Sequence, residues 1–358
     1  MYSFLNDYSE GGHPNILKAL SKTNLEQHIP YGDDSYSNTA KELIKNKINN
    51  PNSDVFFVSG GTQANLIIIA SALRSHESVI SANIGHITIR EAGAIEATGH
   101  KINTIEKKDG KLTQQDISNI LEEHDFGPHV VKPKMVYISN STEIGTIYKK
   151  QELEELSLYC KKMGLLLFLD GARLGSALMA ENNDLTLSDI SRLTDIFTIG
   201  GTKNGALIGE AIVINTNKLK NDFTFHIKQR GAMLSKGRLL GIQFLELFRD
   251  DLFFDLAKHA NTMAMKISKA IKANNFSMLT ESTSNQIFPI LPDVLIKELK
   301  NKYNFYVWKK IDRKNSVVRL VTSWGTKENM VNEFINDIKK INNNLDQKKE
   351  MQTKQITL

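Results

Sequence analysis

A chain of 358 residues, 41% hydrophobic and 24% charged, has the composition of an ordinary globular protein, and at this length one large and one smaller domain are expected, because single cores stop growing at roughly 250–300 residues. Its 45 basic and 40 acidic residues leave a net charge of only +5, and they interleave as in KKQELEELSLYCKK (149–162), which is a solvated helix face and excludes a nucleic-acid stripe. No apolar run approaches the ~20 residues of a membrane span, the opening MYSFLNDYSEGG lacks the basic and apolar regions of a signal peptide, and the lone cysteine, Cys160, excludes an intrachain disulfide and fits a reducing cytoplasm.

Apolar β-rich runs alternate with helical patterns through the first two thirds. VFFVS (55–59) precedes the helix-like TQANLIIIASAL (62–73), and SVISA (78–82) precedes HITIREAGAIEA (86–97), read as a second helix. MVYISN (135–140) is followed by a helix carrying Leu153, Leu156 and Tyr159 or Cys160 at helical spacing, with Gly164 as its C-cap. LLLFLD (165–170) comes next, then DIFTIGG (195–201) and EAIVIN (210–215), close enough to pair through the glycine-rich turn between them. Continuous apolar strands alternating with helices predict a mostly parallel sheet covered on both faces. From about residue 240 the pattern changes to one long helical stretch (239–275) and short strands at 286–292, 305–311 and 317–324. The division expected is an N-terminal arm (1–15), a large domain (16–240), a small α+β domain (241–345) and a polar, frayed tail (346–358).

Four segments carry chemistry. Ser-Gly-Gly-Thr-Gln (59–63) links a strand to a helix. Free N–H groups at such a helix start bind anions, so Gly60, Gly61, Thr62 and Gln63 are candidate phosphate ligands; alone, Thr62 also reads as a simple N-cap. His86 follows a strand, where its ring could stack on a flat ligand, shuttle protons or merely start a helix. In LFLDGARLG (167–175), Asp170 ends an apolar run. A buried carboxylate there needs a partner, either a protonated pyridine nitrogen or the neighbouring Arg173. In FTIGGTKNG (197–205), Lys203 follows Gly-Thr; it reads as a desolvated nucleophilic amine or as a surface turn lysine.

An acid at one strand end and a glycine-framed lysine 33 residues later, about one strand–helix–strand unit, suit pyridoxal 5'-phosphate (PLP). The lysine forms the Schiff base, and the carboxylate keeps the pyridine nitrogen protonated. Arg319, in the alternating strand VVRLVTSW, suits capture of a substrate carboxylate, a role Arg173 could share. Metal catalysis is not expected, since no HExxH or cysteine pair occurs, and Cys160 sits in a helical leucine pattern.

The motifs NDYSEG (6–11), YGDDSYS (31–37), SGGTQANL (59–66), GHITIREAGAI (85–95), DGARLGSAL (170–178), GGTKNGA (200–206) and RLVTSWGT (319–326) resemble the low-specificity L-threonine aldolase and β-eliminating lyase family of the aspartate-aminotransferase superfamily. The resemblance implies a three-layer α/β/α PLP-dependent transferase-like fold with a smaller C-terminal α+β domain. It implies that Gly61 and Thr62 hold the phosphate, His86 stacks on the ring, Asp170 pairs with the ring nitrogen and Lys203, beside Thr202, carries the cofactor. Arg173 and Arg319 match the substrate-carboxylate arginines.

Members of that family are homodimers or homotetramers with active sites between subunits, which places Lys236 or its neighbours near the other subunit's phosphate. Asn6-Asp7-Tyr8 stands where the family has Ser-Asp-Thr, making Asn6 the candidate carboxylate contact. Thr142 and Glu143 stand where aldolases commonly carry a histidine that helps deprotonate the substrate hydroxyl; that task passes to His86, Glu143 or a water. The implied reaction is retro-aldol cleavage of a β-hydroxy-α-amino acid to glycine and an aldehyde. β-Elimination to a 2-oxo acid and ammonia, a non-catalytic PLP-binding protein, and a glycine-rich α/β protein for another phosphate ligand such as a nucleotide are the other readings.

Overall fold

Alternation along the strands builds a sheet with two buried faces. In this computed structural model, which describes residues 1–356 and the side chains of residues 1–345 and 347, a short N-terminal strand β1 (Tyr2–Ser3) and helices α1 (Pro14–Lys22) and α2 (Ser35–Lys47) come first. Strands β2 (Asp54–Val58), β3 (Glu77–Ala82), β4 (Ile102–Ile105), β5 (Lys132–Ser139), β6 (Leu166–Asp170), β7 (Ile196–Gly200) and β8 (Glu210–Ile214) then form one seven-stranded sheet in the order β2-β8-β7-β6-β5-β3-β4. The pairings β7–β6–β5–β3–β4 are parallel; β8 runs antiparallel between β7 and β2.

Leu167 and Leu169 enter one core with Val136, Ile138 and Phe197, while Phe168 enters the other with Met135, Tyr137 and Ile196. This is the period of two that a strand buried on both faces requires. Helix α3 (Gly61–Ala72) and α9 (Phe223–Gln229) cover the Phe168 face. Helices α5 (Gln114–Glu123), α6 (Lys150–Met163), α8 (Leu187–Leu193) and α10 (Arg238–Arg249), with α2, cover the other. The result is the expected three-layer α/β/α arrangement. Cys160 is buried on α6, and burial pushes its thiol up to about 12, so it is chemically quiet.

Two expected helices differ. The pattern at 86–97 gives the one-turn α4 (His86–Ile89) and, past the left-handed Ala92 (φ 51°) and Gly93 (φ 75°), a 3-10 turn at Glu96–Thr98. The long stretch at 239–275 is broken at Asp251 (φ 59°), a residue type that tolerates the left-handed region. It gives α10 and then α11 (Leu252–Ala273). A short helix, α7 (Leu174–Leu178), follows β6.

Helix α11 starts in the core of the large sheet with Phe253 and Leu256 and ends in a separate core with Met263, Ile267 and Ile271. That second body contains β9 (Gln286–Ile287), β10 (Ile290–Pro292), α12 (Asp293–Leu299), β11 (Tyr303–Asn304), β12 (Tyr306–Lys310), β13 (Asn315–Val321) and α13 (Glu328–Ile356). β13 lies between β10 and β12, antiparallel to both. The helix α13 reaches Ile356, across the stretch read as a tail; the side chains of 346 and 348–358 lie outside the described residues. Residues Tyr2–Ser3 pair with β11, and fully buried Phe4 packs on Phe334 at 4.9 Å. Burying such a ring contributes roughly 1.5–3 kcal/mol, so the arm is anchored in the small body before it crosses to the large one. Among the described residues no helix is long and apolar enough to cross a membrane.

Candidate active site

Parallel strands deliver their C-terminal loops to one edge of the sheet, where open α/β sheets bind ligands. The loops after β2, β3, β5, β6 and β7 meet there around a cleft with an outer part of about 530 Å³ and an inner part of about 120 Å³. His86, Glu143, Arg173 and Lys203 line both parts.

Gly60 caps α3 with no side-chain hydrogen bond, so the first N–H groups of the helix have no intrahelical partner. A Cβ built on Gly60 or Gly61 would meet nothing within 4 Å. Gly61 and Thr62 line the inner cleft, and this open, positively polarised corner suits a phosphate. The Gln63 carboxamide instead turns back, its Oε1 accepting from the Ser59 hydroxyl at 2.8 Å and backbone N–H at 3.2 Å.

Asp170 is 5% exposed at the end of β6 and lines the inner cleft. Its Oδ2 accepts from the Tyr137 hydroxyl at 2.5 Å and Asn65 Nδ2 at 3.2 Å, and its Oδ1 from the Ala172 N–H at 2.9 Å. Burial and then the Asp170 charge push the Tyr137 phenol well up, so it stays a donor. Close packing of β6 on β7 fixes this corner: a Cβ at Gly171 would lie 1.9 Å from the Thr198 carbonyl oxygen.

The same Asn65 amide donates to Glu91 Oε1 at 2.7 Å, and that oxygen lies 2.8 Å from His86 Nδ1. Glu143 Oε1 accepts from the His86 backbone N–H at 2.9 Å and the Ser139 hydroxyl at 2.8 Å. Burial raises the Glu143 carboxyl above its ordinary value, with the Ser139 hydrogen bond pulling the other way.

Three arginines line the cleft: exposed Arg90, over the Trp308 ring at 5.2 Å, and two more deeply set ones in different states. Arg173 donates from Nε at 2.7 Å and Nη2 at 2.9 Å to the Asp7 carboxylate, which also accepts from Asn285 at 2.9 Å. Burial opposes both charges, but the pairing outweighs it: Asp7 is held below and Arg173 above its ordinary value. Arg319 lies over the rings of Tyr306 (4.9 Å) and Trp308 (5.4 Å). Its Nη2 donates to the Leu5 carbonyl at 3.2 Å, and its buried Nε has no partner among the described residues. Burial, then the nearby Arg173 charge, lowers it. Lys203 lines the cleft with no hydrogen-bond or ion-pair partner among the described residues.

Most residues singled out in the sequence therefore converge: Gly61, Thr62, His86, Glu143, Asp170, Arg173, Lys203 and Arg319 all line one cleft. Two do not. Asn6 is spent on a turn, its Oδ1 accepting from the Tyr8 N–H and Ser9 hydroxyl, and its neighbour Asp7 reaches Arg173 instead. The Thr202 hydroxyl is held by Gly209, whose N–H donates to it at 3.0 Å, closing the lysine loop and not opening to the cleft. Asn65, Glu91 and Tyr137 went unnoticed. Asn65 alone left a trace, one helical turn after Gly61 on the buried face of α3.

An open helix start, a carboxylate held by three donors, a ring beside it and an unpaired lysine fit pyridoxal phosphate. Fold and site together define a PLP-dependent enzyme of the aminotransferase-like class. A Thermus thermophilus aspartate aminotransferase mutant shares the fold alone, at 13% identity and TM-score 0.69 over 94% of this chain and 90% of that one. Within that class the chain belongs to the β-eliminating lyase family, whose model matches residues 4–292. It is 32% identical over 346 residues to a low-specificity L-threonine aldolase of Pseudomonas sp., covering 94% of this chain and 97% of the relative. A solved structure of Leishmania major threonine aldolase is 49% identical, with TM-score 0.94, covering 96% of this chain and all of that one.

Proposed function

We propose that this chain is an aldehyde-lyase that cleaves β-hydroxy-α-amino acids of the threonine type to glycine and an aldehyde. The observation that carries the reading is the single cleft joining a free lysine, a strand-end carboxylate, an unneutralised arginine and a basic pair, His86 and Glu143. When bound, the cofactor acts as an electron sink at the substrate's Cα. Lys203 is the amine that carries it, and Asp170 faces its ring nitrogen.

Arg319 binds the substrate carboxylate through its uncommitted donors, and the rings of Tyr306 and Trp308 fix the guanidinium plane. Holding the carboxylate sets the rotamer about Cα, so that the Cα–Cβ bond is the one that breaks. A base must take the β-hydroxyl proton. Glu143 Oε1 is committed to His86 and Ser139, leaving Oε2 without a partner among the described residues. A carboxyl raised toward neutrality is the stronger base.

The test is proton NMR of products from L-threonine, L-allo-threonine, L-phenylserine and L-serine with PLP-loaded protein. Glycine plus the matching aldehyde supports the reading, whereas pyruvate and ammonia without aldehyde would replace it with β-elimination. Glu143→Gln should lower kcat by roughly 10²-fold or more.

The working form we propose is a homodimer or homotetramer in the cytoplasm. Leu25, Ile29, Tyr31 and Phe225 are exposed apolar side chains that a second copy would cover, with Lys236 close by in sequence. Light scattering on the purified protein tests this.

A further inference from the structure

Glu91 is a buried carboxylate behind the cleft-lining His86. Its carboxylate is fully buried; Oε1 serves two neighbours, and Oε2 has no partner among the described residues. A buried lone pair left unmatched is destabilising, and an apolar residue would be cheaper here. The backbone is strained in the same place. Helix α4 ends after one turn, and Ala92 takes φ 51°, a region unfavourable to a residue with a Cβ. Glu91 reaches back to the ring nitrogen of His86, five residues earlier in the chain.

The hydrogen-bond inventory leaves one arrangement. The Asn65 amide nitrogen contacts two carboxylates, Glu91 Oε1 at 2.7 Å and Asp170 Oδ2 at 3.2 Å, so its two hydrogens are spent on them. Glu91 Oε1 is thus an acceptor. With Glu91 an acceptor-only carboxylate, the imidazole nitrogen 2.8 Å from that oxygen is the donor, which puts the neutral ring's proton on Nδ1. We propose that Glu91 is the positioning residue of His86: it fixes the Nδ1–H tautomer and leaves Nε2 unprotonated on the cleft side, ready to accept the proton released from the substrate hydroxyl or relayed from Glu143. Through Asn65, the carboxylate facing the ring nitrogen and the carboxylate orienting the ring-stacking histidine are held by one side chain. The proton-accepting half of this statement rests on the aldolase reading; the tautomer half does not.

Solid-state ¹⁵N NMR of histidine-labelled holoenzyme at about pH 9, where an ordinary imidazole is neutral, reads the tautomer. The His86 signals are assigned by their loss in His86→Asn. The expected result is a protonated Nδ1 and bare Nε2 in the wild type, loss of that preference in Glu91→Ala, and its retention in Glu91→Gln, which keeps an acceptor at Oε1. On threonine, kcat should fall roughly 10²-fold or more in Glu91→Ala with KM little changed, and Glu91→Gln should recover most of it. A bare Nδ1 in the wild type overturns the proposal, and so does a Glu91→Ala protein that keeps both tautomer and kcat. Should Glu91→Ala fail to fold, the wild-type spectrum still decides. An Nδ1–H tautomer in a protein that cleaves no β-hydroxy amino acid would sink the aldolase reading and leave the positioning role standing.

Discussion

Glu210 gives the sharpest test of the electrostatics behind the site. It opens β8, registered between Val58 of β2 and Gly200 of β7, and is 2% exposed with Oε2 unpartnered among the described residues. Burial pushes its carboxyl from an ordinary 4.5 up to about 8, the attraction of Lys203 offsetting only part of that. The unfolded chain gives up this proton near 4.5, while the native chain keeps it to about 8. Between those values the native state binds the extra proton, so stability falls as pH rises. The slope is at most about 1.4 kcal/mol per pH unit, or roughly 3–5 kcal/mol across the window. Glu210→Gln keeps the shape and removes the titration. Urea midpoints of both proteins from pH 5 to 9, with and without PLP, should converge near pH 5 and separate by a few kcal/mol in favour of the variant above pH 8. Glu143, raised in the same sense, cancels in the difference. Parallel curves would refute the reasoning.

Three further outcomes follow from named contacts. Arg319→Ala should raise KM for threonine roughly 10–100-fold, the worth of a hydrogen bond to a charged group, while the visible absorption of the bound cofactor stays unchanged. Asp7→Ala strands the Arg173 charge and should cost about 3–5 kcal/mol in urea unfolding, a loss that Arg173→Met in the same chain should largely restore. Lys203→Ala should abolish turnover, and borohydride treatment followed by mass spectrometry should add the cofactor mass to the wild type but not to the variant; a variant with near-normal turnover would remove Lys203 from the mechanism.

Much of the architecture was legible because strands buried on both faces leave continuous apolar runs. Such runs at 55–59, 135–140, 165–170 and 210–215 each became a strand of the large sheet. Asp170 and Lys203 were legible for a related reason: polar residues directly after such runs must lie at the sheet edge where ligands bind. The one-turn α4 was not, since a helical pattern does not announce the left-handed turn at Ala92 and Gly93. The supporting shell was not legible either. Asn65 meets Asp170 across 105 residues and Asp7 meets Arg173 across 166, and no local periodicity encodes contacts made only when separate strand ends are brought together.

The pairing of Asp7 with Arg173 neutralises one of the three arginines that line the cleft. Left alone, two buried guanidiniums would repel, and the lowering of Arg319 by burial and by Arg173 records that pressure. The N-terminal arm relieves it. Anchored through Phe4 in the small body, it delivers Asp7 to Arg173 and then ties to the lysine loop, the His13 N–H donating to the Gly205 carbonyl at 2.7 Å. Arg173 is neutralised inside the protein and holds the arm, while Arg319 receives only the neutral Leu5 carbonyl. Arg319, over the rings of Tyr306 and Trp308 on the small body, thus lines the cleft with Lys203 as a cation without a carboxylate partner among the described residues, as does the exposed Arg90. On the proposed function, a substrate bearing one carboxylate and one amine would complete that arrangement, its carboxylate on Arg319 and its amine at the position of Lys203.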